Sequence, residues 1–318
     1  MKYIDFNTIK ALAISPEKCI DWAKKALLTK HNSILPPKTS IKFADGCFFN
    51  TMPSLLPEIE RFGVKIISRY PMTSQSREYG PSLSGDIMLY DSTTGKLLAI
   101  MDGTWITAMR TGAVATLSIN LLSKKDTKSY SFIGLGNTAR ATLLCLNTTL
   151  NYEPIIIKIL AYKKQHEVFM QRFATYTNIT FKVYDSVNEL IQTSDVIISC
   201  VTTAKENFAY DSDYSEGVLV VPVHTMGFQN CDLFFDKIFC DDIGHVKNFK
   251  YFSLFKNCDE VFNILIGKKT GRESENERIL VYNIGISLQD IFFASNIYEL
   301  VPPPPVSFEK PSIPAFWV

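Results

Sequence analysis

Residues 131–141 read SFIGLGNTARA, and this short stretch decides the fold. The apolar residues before Gly134 are typical of a buried strand, and those after Gly136 continue as a helix. A glycine turn between a strand and a helix is the context that a dinucleotide-binding G-x-G-x-x-A pattern requires. Gly134 permits the tight turn, Gly136 lets a pyrophosphate approach the backbone, and Ala139 allows the helix to pack closely on the strand. Amide groups at the start of the helix would then face the phosphates.

The surrounding sequence favours dinucleotide binding over the alternative, a plain structural turn. After residue 106, helical stretches separate the apolar runs YSFI, PIIIKILAY, NITFKVYD, DVIISCV, GVLVVPV and KIFCDD. Continuous apolar strands between helices indicate a parallel sheet that is covered on both faces. The first third of the chain instead has one N-terminal helix and short strand-like runs with turns, which indicates a mostly antiparallel sheet. We therefore predict an α/β protein with a Rossmann-type domain.

Composition excludes several classes of function. The chain has 318 residues, which suits two domains, and 46% hydrophobic and 20% charged residues are typical of a globular protein. A net charge of +1 predicts no nucleic-acid partner, and no apolar stretch approaches the ~20 residues of a membrane span. Seven cysteines without a C-x-x-C pair indicate reduced thiols and a cytoplasmic location. Cys231 and Cys240 lack histidines at metal-binding spacing, so we expect no metal.

The end of the second parallel strand distinguishes the two nicotinamide dinucleotides. NAD sites usually carry an acidic residue there to bind the ribose hydroxyls, whereas the 2′-phosphate of NADP attracts cations. Here the strand runs into Lys163 and Lys164, and the first acidic residue is Glu167. We therefore favour NADP(H) and keep NAD(H) as an alternative. In a third interpretation the two lysines are only solvated side chains at a helix start.

Two cations before the glycine turn occupy unusual positions. Arg110 lies on the apolar stripe of a predicted helix, where a guanidinium needs an anion or several acceptors. Its planar fork matches a carboxylate, although a structural ion pair with Asp102 or another acid would also satisfy it. Lys65 stands between apolar residues of a predicted strand, so its side chain occupies the opposite sheet face. By itself that position favours a solvated lysine.

A resemblance to a known family rests on these and other segments. The run TGKLLAIMDGTWITAMRTGAVATLSINLL, followed by SFIGLGNTA, resembles the ornithine cyclodeaminase/mu-crystallin family, and GVKIISRYP and GRESENERILVYNIGISLQDI are similar to its other landmarks. The resemblance implies a homodimer of two-domain subunits. Residues 1–112 with 288–318 would form a smaller α+β domain for substrate binding and dimerisation. Residues 113–287 would form the inserted Rossmann domain.

The resemblance also implies roles for individual residues. The residues that match Lys65 and Arg110 bind the substrate carboxylate and line the nicotinamide in this family. Lys38 stands where its cyclodeaminases and crystallins carry an arginine, and it completes the predicted catalytic set. Besides Gly134, Gly136 and the two lysines, the positions that match dinucleotide-binding residues are Ser82, Thr111, Asn137, Thr138, Thr202, His224, Met226 and Asn283.

One departure from the family bears on the reaction. Ornithine cyclodeaminase activates water with an aspartate in the loop after the fifth strand, but Gln229 occupies the matching position here. Glutamine cannot take a proton, and Asp232 could replace the aspartate only if the loop shifts by three residues. We therefore expect an NAD(P)-dependent oxidoreductase that acts at the α-carbon of a small amino or imino acid, as a dehydrogenase or imine reductase.

Three alternatives stay open. Ornithine cyclodeaminase proper would convert L-ornithine to L-proline plus ammonia, and its cofactor would be oxidised and reduced within one turnover. A relative from siderophore pathways would cleave an amino-acid conjugate oxidatively, and such relatives resemble this chain at GRESENE and at Lys38. A non-catalytic protein would only bind NADP(H) and a small ligand, and the departure at Gln229 is its main support.

Overall fold

The computed structural model describes residues 1–43, 46–70, 83–201, 206–224 and 232–302. The chain divides into two units, each built on its own β-sheet. Unit 1 consists of Met1–Ala13, Asn32–Ile106 and Asp290–Val318, and unit 2 consists of Ile14–His31 and Thr107–Gln289. No helix in the described part of the chain is long and apolar enough to cross a membrane.

Unit 1 contains a six-stranded sheet. Its strands are β1 (Lys2–Ile4), β2 (Thr39–Lys42), β3 (Phe48–Leu56), β4 (Arg61–Arg69), β5 (Leu83–Asp91) and β6 (Leu97–Asp102), in the order β1-β6-β5-β4-β3-β2. All neighbours are antiparallel except β1 and β6, which confirms the predicted antiparallel character. Helix α1 (Phe6–Ala11) begins at Asp5, whose side chain accepts the amide of Thr8 and so satisfies an otherwise unpaired donor.

A helix near the C-terminus covers one face of this sheet. Helix α9 (Ser287–Leu300) belongs to unit 1 from Asp290 onward. It approaches β4 so closely that a Cβ at Gly63 would lie 3.0 Å from Cγ1 of Ile291. Gly63 and Lys65 share a face of β4 because side chains alternate along a strand, and both residues are buried. Helix α9 therefore lies over the face that carries Lys65.

Unit 2 contains an eight-stranded sheet in which every pair of neighbours is parallel. Its strands are β7 (Ser129–Ile133), β8 (Ile155–Leu160), β9 (Ile179–Tyr184), β10 (Val196–Ser199), β11 (Leu219–Pro222), β12 (Lys237–Cys240), β13 (Cys258–Glu260) and β14 (Ile279–Tyr282). The order is β13-β12-β14-β11-β10-β7-β8-β9, so the direction of strand addition reverses between β7 and β10. This is the doubly wound Rossmann pattern with its switch point beside the glycine turn, and it confirms the predicted fold class.

The continuous apolar strands are explained by burial on both faces. Phe132, Ile198 and Val221 belong to one buried cluster of unit 2. Their neighbours Ile197 and Val220 belong to a second buried cluster. Since successive side chains of a strand point to opposite faces, apolar residues are needed at every position.

Among the described residues, seven α-helices belong wholly or mainly to unit 2. They are α2 (Pro16–Leu28), α3 (Thr104–Leu122), α4 (Asn137–Thr149), α5 (Gln165–Arg172), α6 (Val187–Gln192), α7 (Ile243–Val246) and α8 (Val261–Leu265). Helix α2 begins at Ser15, whose side chain accepts the amide of Lys18, and it packs on α4 through a face that includes the buried residues Cys19 and Ala23. Residues 14–31 thus group with unit 2, although most of unit 1 follows them in sequence.

Candidate active site

The glycine turn has the geometry that a pyrophosphate site needs. Strand β7 ends at Ile133, and Gly134 follows with φ +85°, a conformation that favours glycine. A Cβ at Gly134 would also lie 2.9 Å from the backbone of Cys200. Gly136 is exposed at the start of α4, and a Cβ there would meet no atom within 4 Å. The space over Gly136 is therefore open to a ligand beside the free amides of the helix start.

Other predicted dinucleotide-binding residues lie at the same carboxyl edge of the unit 2 sheet. Asn137 and Thr138 form the first turn of α4, and His224 follows β11, where Nε2 lies 3.2 Å from Oγ of Ser199. Asn283 follows β14. Its Oδ1 accepts a hydrogen bond from Ser118 and its Nδ2 donates one to Val281. Ser82, Thr202, Met226 and Gln229 lie outside the described residues.

Lys163 and Lys164 follow the end of β8 at this edge. Both side chains are exposed, and both residues have positive φ, 43° and 62°, in the turn that starts α5. The Nζ of Lys163 lies 5.0 Å from the centroid of the Tyr162 ring. The chain therefore presents two cations and no carboxylate immediately after the second parallel strand.

Arg110 is buried, with 5% of its surface exposed, as its place on the apolar stripe of α3 predicts. The next residue, Thr111, is also buried, and its hydroxyl donates to the carbonyl of Thr107. Helix α3 crosses α4 closely, since a Cβ at Gly112 would lie 2.5 Å from the carbonyl carbon of Ala141. This crossing places the Arg110–Thr111 turn near the first turns of α4, which follow the glycine turn.

The guanidinium of Arg110 lies against Gly285, just beyond β14. A Cβ at Gly285 would lie 2.8 Å from Cζ of Arg110, so the guanidinium occupies the space that a side chain at Gly285 would need. Gly285 has φ +86°, and its amide donates a hydrogen bond to Oδ2 of Asp241 at 2.5 Å. Asp102, which the sequence suggested as a partner of Arg110, accepts hydrogen bonds from the amide and hydroxyl of Thr104 at the start of α3.

Asp241 is a further residue of the candidate site that was not predicted from the sequence. It is 1% exposed and follows β12. Burial raises the pKa of its carboxyl group to about 6, although the Gly285 amide and the charges of Lys30 and Arg110 act in the opposite direction. One sequence feature could have indicated a role for Asp241: it comes directly after a buried strand of a parallel sheet, and the carboxyl ends of such strands form the ligand-binding edge.

Lys30 holds the chain around Asp241. Its Nζ donates to the Asp241 carbonyl oxygen at 3.0 Å and lies 2.9 Å from Oδ2 of Asp242 and 2.6 Å from Oε2 of Glu260. Burial acts to lower the pKa of Lys30, but its hydrogen bond to Glu260 and the charge of Asp242 raise it above its usual value. Lys30 follows α2, so this ion cluster joins the end of that helix to the sheet.

Lys65 is fully buried in unit 1, so the interpretation of a solvated lysine is wrong. Its Nζ lies 2.9 Å from Oδ1 of Asp290, which is also fully buried. Lys38 is half-buried in the segment before β2. The pairing of Lys65 with Asp290 could not be predicted from local sequence, because 225 positions separate the two residues.

Asp232 is the remaining candidate base. It is 2% exposed, and its Oδ1 accepts a hydrogen bond of 2.7 Å from the hydroxyl group of Tyr282 in β14. No group of three or more His, Cys, Asp or Glu side chains within the described ranges has the arrangement of a metal site.

The geometry of unit 2 defines a dinucleotide-binding protein of the Rossmann class, and comparisons with known proteins identify the family. Residues 7–302 match the ornithine cyclodeaminase/mu-crystallin family. The chain therefore belongs to the ornithine cyclodeaminase/mu-crystallin family, as the sequence resemblance predicted.

Individual relatives are similar over most of their length. A Delta(1)-pyrroline-2-carboxylate reductase of Bacillus cereus is 26% identical over 90% of this chain and 92% of its own. An N-((2S)-2-amino-2-carboxyethyl)-L-glutamate dehydrogenase of Staphylococcus aureus is 26% identical over 68% of both chains. The solved structure of Thermococcus litoralis Delta(1)-pyrroline-2-carboxylate reductase, in complex with NADH and L-proline, has a TM-score of 0.84, 27% identity and coverage of 94% of this chain and 97% of its own. These relatives confirm the predicted class, an NAD(P)-dependent oxidoreductase.

Proposed function

We propose that this chain transfers a hydride between a nicotinamide dinucleotide and the α-carbon of a small amino or imino acid, and that it works as an imine reductase. The observation that carries the proposal is the buried guanidinium of Arg110 against Gly285, in the same unit as the open glycine turn. A buried guanidinium suits a carboxylate ligand, and the turn suits a pyrophosphate. The reductases among the relatives support the direction of the reaction.

The proposed roles follow from the chemistry of each side chain. The dinucleotide, when bound, supplies or accepts the hydride. Gly134, Gly136 and the first turn of α4 would bind its pyrophosphate, and His224 and Asn283 would lie along it at the carboxyl edge of the sheet. Arg110 would orient the substrate through its carboxylate. We keep Lys65 and Lys38 as proposed catalytic residues, as the family resemblance implies. In this proposal unit 2 is the dinucleotide-binding domain, and unit 1 is the substrate-binding and dimerisation domain.

We also propose a preference for NADP(H) over NAD(H). The support is the pair of exposed cations, Lys163 and Lys164, directly after β8, where no carboxylate is present to repel a 2′-phosphate. The Thermococcus litoralis relative was solved with NADH, so NAD(H) is the competing cofactor.

A homodimer is the proposed assembly, and one surface of unit 1 supports it. Strand β2 is an edge strand, and it presents Ile41, 63% exposed, with Phe43, 46% exposed, directly after it. The Phe43 ring stacks on Phe49 and meets Tyr70 edge-on, so the apolar groups form one cluster. Exposed apolar clusters on sheet edges often mark contacts between protein chains. We further propose a cytoplasmic location, which the six free cysteines within the described ranges support.

Absorbance at 340 nm tests the reaction. The purified protein is mixed with NADPH or NADH and Δ1-pyrroline-2-carboxylate, and separately with NADP+ or NAD+ and L-proline or L-ornithine. The proposal expects net oxidation of the reduced cofactor by the imine. Consumption of L-ornithine with release of ammonia and no net change at 340 nm would instead identify a cyclodeaminase. Silence with every substrate at high protein concentration would favour the non-catalytic alternative.

A further inference from the structure

We propose that Asp241 is a positioning residue for Arg110 and acts on it through the main chain of Gly285. The inference rests on the proposed role of Arg110 in binding the substrate carboxylate. It adds a residue that follows β12, and it gives that residue a defined mechanism. Asp241 fixes the turn after β14, against which the guanidinium of Arg110 lies.

The first support is the chain of contacts. Oδ2 of Asp241 accepts the Gly285 amide at 2.5 Å, and this amide belongs to a residue in the left-handed region, φ +86°. The guanidinium of Arg110 occupies the space that a side chain at Gly285 would need. A change in the Gly285 backbone would therefore move the surface against which Arg110 packs.

The second support is the energetic cost of the carboxylate. Asp241 is almost completely buried, and its Oδ1 has no hydrogen-bond partner within the described ranges. An incompletely paired buried carboxylate destabilises a fold, and a neutral acceptor could bind the Gly285 amide at lower cost. Because burial raises its pKa only to about 6, the group is ionised at neutral pH. Its charge then attracts the guanidinium of Arg110, which a neutral acceptor would not do.

The third support is that Asp241 is itself held in place. Lys30 donates to the Asp241 carbonyl and pairs with Asp242 and Glu260. The Asn283 amide donates separately to the carbonyl of Pro222, and the Asn283 side chain bonds Ser118. Loss of the Asp241 carboxylate should therefore disturb the Arg110 side of the turn more than the Asn283 side, which is proposed to contact the dinucleotide.

The test measures carboxylate binding without requiring turnover. Calorimetry gives the Kd of pyrrole-2-carboxylate, a planar carboxylate probe, for the protein–NADPH complex, and the Kd of NADPH alone. The proteins are the wild type, Arg110→Lys, Asp241→Ala and the Arg110→Lys/Asp241→Ala double variant. Asp213→Asn is the matched control. Asp213 is a buried carboxylate of unit 2. It accepts hydrogen bonds from the side chains of Asn188 and Gln192 and from the Tyr210 amide, and none of these groups has an assigned role in the site.

We expect Asp241→Ala to weaken probe binding about tenfold or more, with the Kd of NADPH changed less than about threefold. The double variant should bind the probe no more weakly than Arg110→Lys, within about twofold, since both changes act on one side chain. The control should match the wild type. Asp241→Asn, which keeps an acceptor but removes the charge, should lie between the wild type and Asp241→Ala, and it replaces the alanine variant in the cycle if that variant does not fold.

Five results would overturn the inference or its basis. If Asp241→Ala binds the probe as tightly as the wild type, Asp241 does not act through Arg110. The same conclusion follows if the fold-losses in probe affinity of the two single variants multiply in the double variant. Equal losses of probe and NADPH affinity with a lower Tm would assign Asp241 a purely structural role. No probe binding by the wild type, or equal binding by Arg110→Lys, would instead contradict the proposed role of Arg110.

Discussion

The Nζ of Lys65 and Oδ1 of Asp290 lie 2.9 Å apart, and neither side chain has any exposed surface. The pair joins β4 to α9, the helix that covers it, although the two residues are 225 positions apart in the sequence. A buried charge is tolerated only when it is paired, because removing a charge from water costs several kcal/mol. Lys65 is therefore a fixed charged group in unit 1 and not a surface lysine.

Asp290→Asn should strongly destabilise unit 1, because it removes the buried carboxylate next to Lys65. The expected loss in the free energy of unfolding is about 3–5 kcal/mol, measured by urea denaturation. The Lys65→Met/Asp290→Asn double variant should recover part of that loss, since no buried ammonium remains. Glu299→Gln is the control. The Glu299 carboxylate pairs with Arg61 in the same unit but is 63% exposed, so its loss should cost less than about 1 kcal/mol. Equal costs for both pairs would contradict the argument.

Gly136→Ala should weaken dinucleotide binding without harming the fold. Gly136 has φ −81°, which any residue adopts, and no atom lies within 4 Å of an added Cβ. The methyl group would occupy the open space assigned to the pyrophosphate, so we expect at least about a tenfold higher Kd for NADPH. Thermal unfolding without ligand should be unchanged. Gly134→Ala is the comparison, and it should lower the Tm itself because of its φ of +85°. If the Gly136→Ala protein folds and binds NADPH with normal affinity, the pyrophosphate does not bind over Gly136.

Lys163→Asp should reduce the preference for NADPH over NADH. The change replaces a cation by an anion at the position assigned to the 2′-phosphate, so NADPH affinity should fall by roughly tenfold or more. NADH affinity should change much less, because NADH lacks that phosphate. Lys182→Asp is the control for a general charge effect, since Lys182 is an exposed lysine in β9. Equal affinities of the wild-type protein for both cofactors would remove the basis of the NADP proposal.

The parallel sheet and the glycine turn could be predicted because their signals are local. A strand buried on both faces must be apolar at every position, and the turn after it needs glycine at Gly134, so both features appear in a few consecutive residues. Burial of Arg110 followed from its place on a helical stripe in the same way. The fold of unit 2 and the burial of Arg110, one cation of the candidate site, could thus be predicted from local sequence.

The partners of these groups could not be predicted, because they come from distant segments. Side chains alternate along β4, so Lys65 lies on the opposite face of the sheet from Val64 and Ile66. Only the position of α9 shows that the face with Lys65 is buried. Asp241 and Gly285 are 44 positions apart, and their contact depends on β12 and β14 being neighbours in the sheet. Strand order is a property of the whole domain, so the sequence showed two acids after a strand without showing what they bind.

Ile41→Asp should prevent dimerisation if the edge of the unit 1 sheet forms the subunit contact. The wild type is expected to have twice the mass of one chain in light scattering at micromolar concentration. A buried carboxylate at the contact would be unpaired, and the variant should therefore run as a monomer. Tyr210→Asp is the control, because Tyr210 is 78% exposed in unit 2. A monomeric wild type would contradict the homodimer, and a dimeric Ile41→Asp protein would place the contact on another surface.

Asp241 should make the stability of unit 2 depend on pH in a defined direction. Its folded-state pKa of about 6 lies above its ordinary value of 3.8, mainly because burial disfavours the charged form. Asp242 acts in the same direction, whereas Lys30, Arg110 and the Gly285 amide act against it. A group with a raised pKa binds protons more strongly in the folded state, so its contribution to stability is greatest below pH ~4 and is lost as the pH rises through about 6.

The measurement compares the wild type with Asp241→Asn at several pH values between 4 and 8. Asparagine does not titrate, so ionisable groups that do not interact with Asp241 cancel in the difference between the two free energies of unfolding. The shift from 3.8 to about 6 corresponds to at most about 3 kcal/mol. We expect the wild type to gain stability relative to the variant by up to this amount as the pH falls from 7 to 4. A difference that stays constant with pH, or that changes in the opposite direction, would show that the Asp241 carboxyl group is not held in the buried environment described for it.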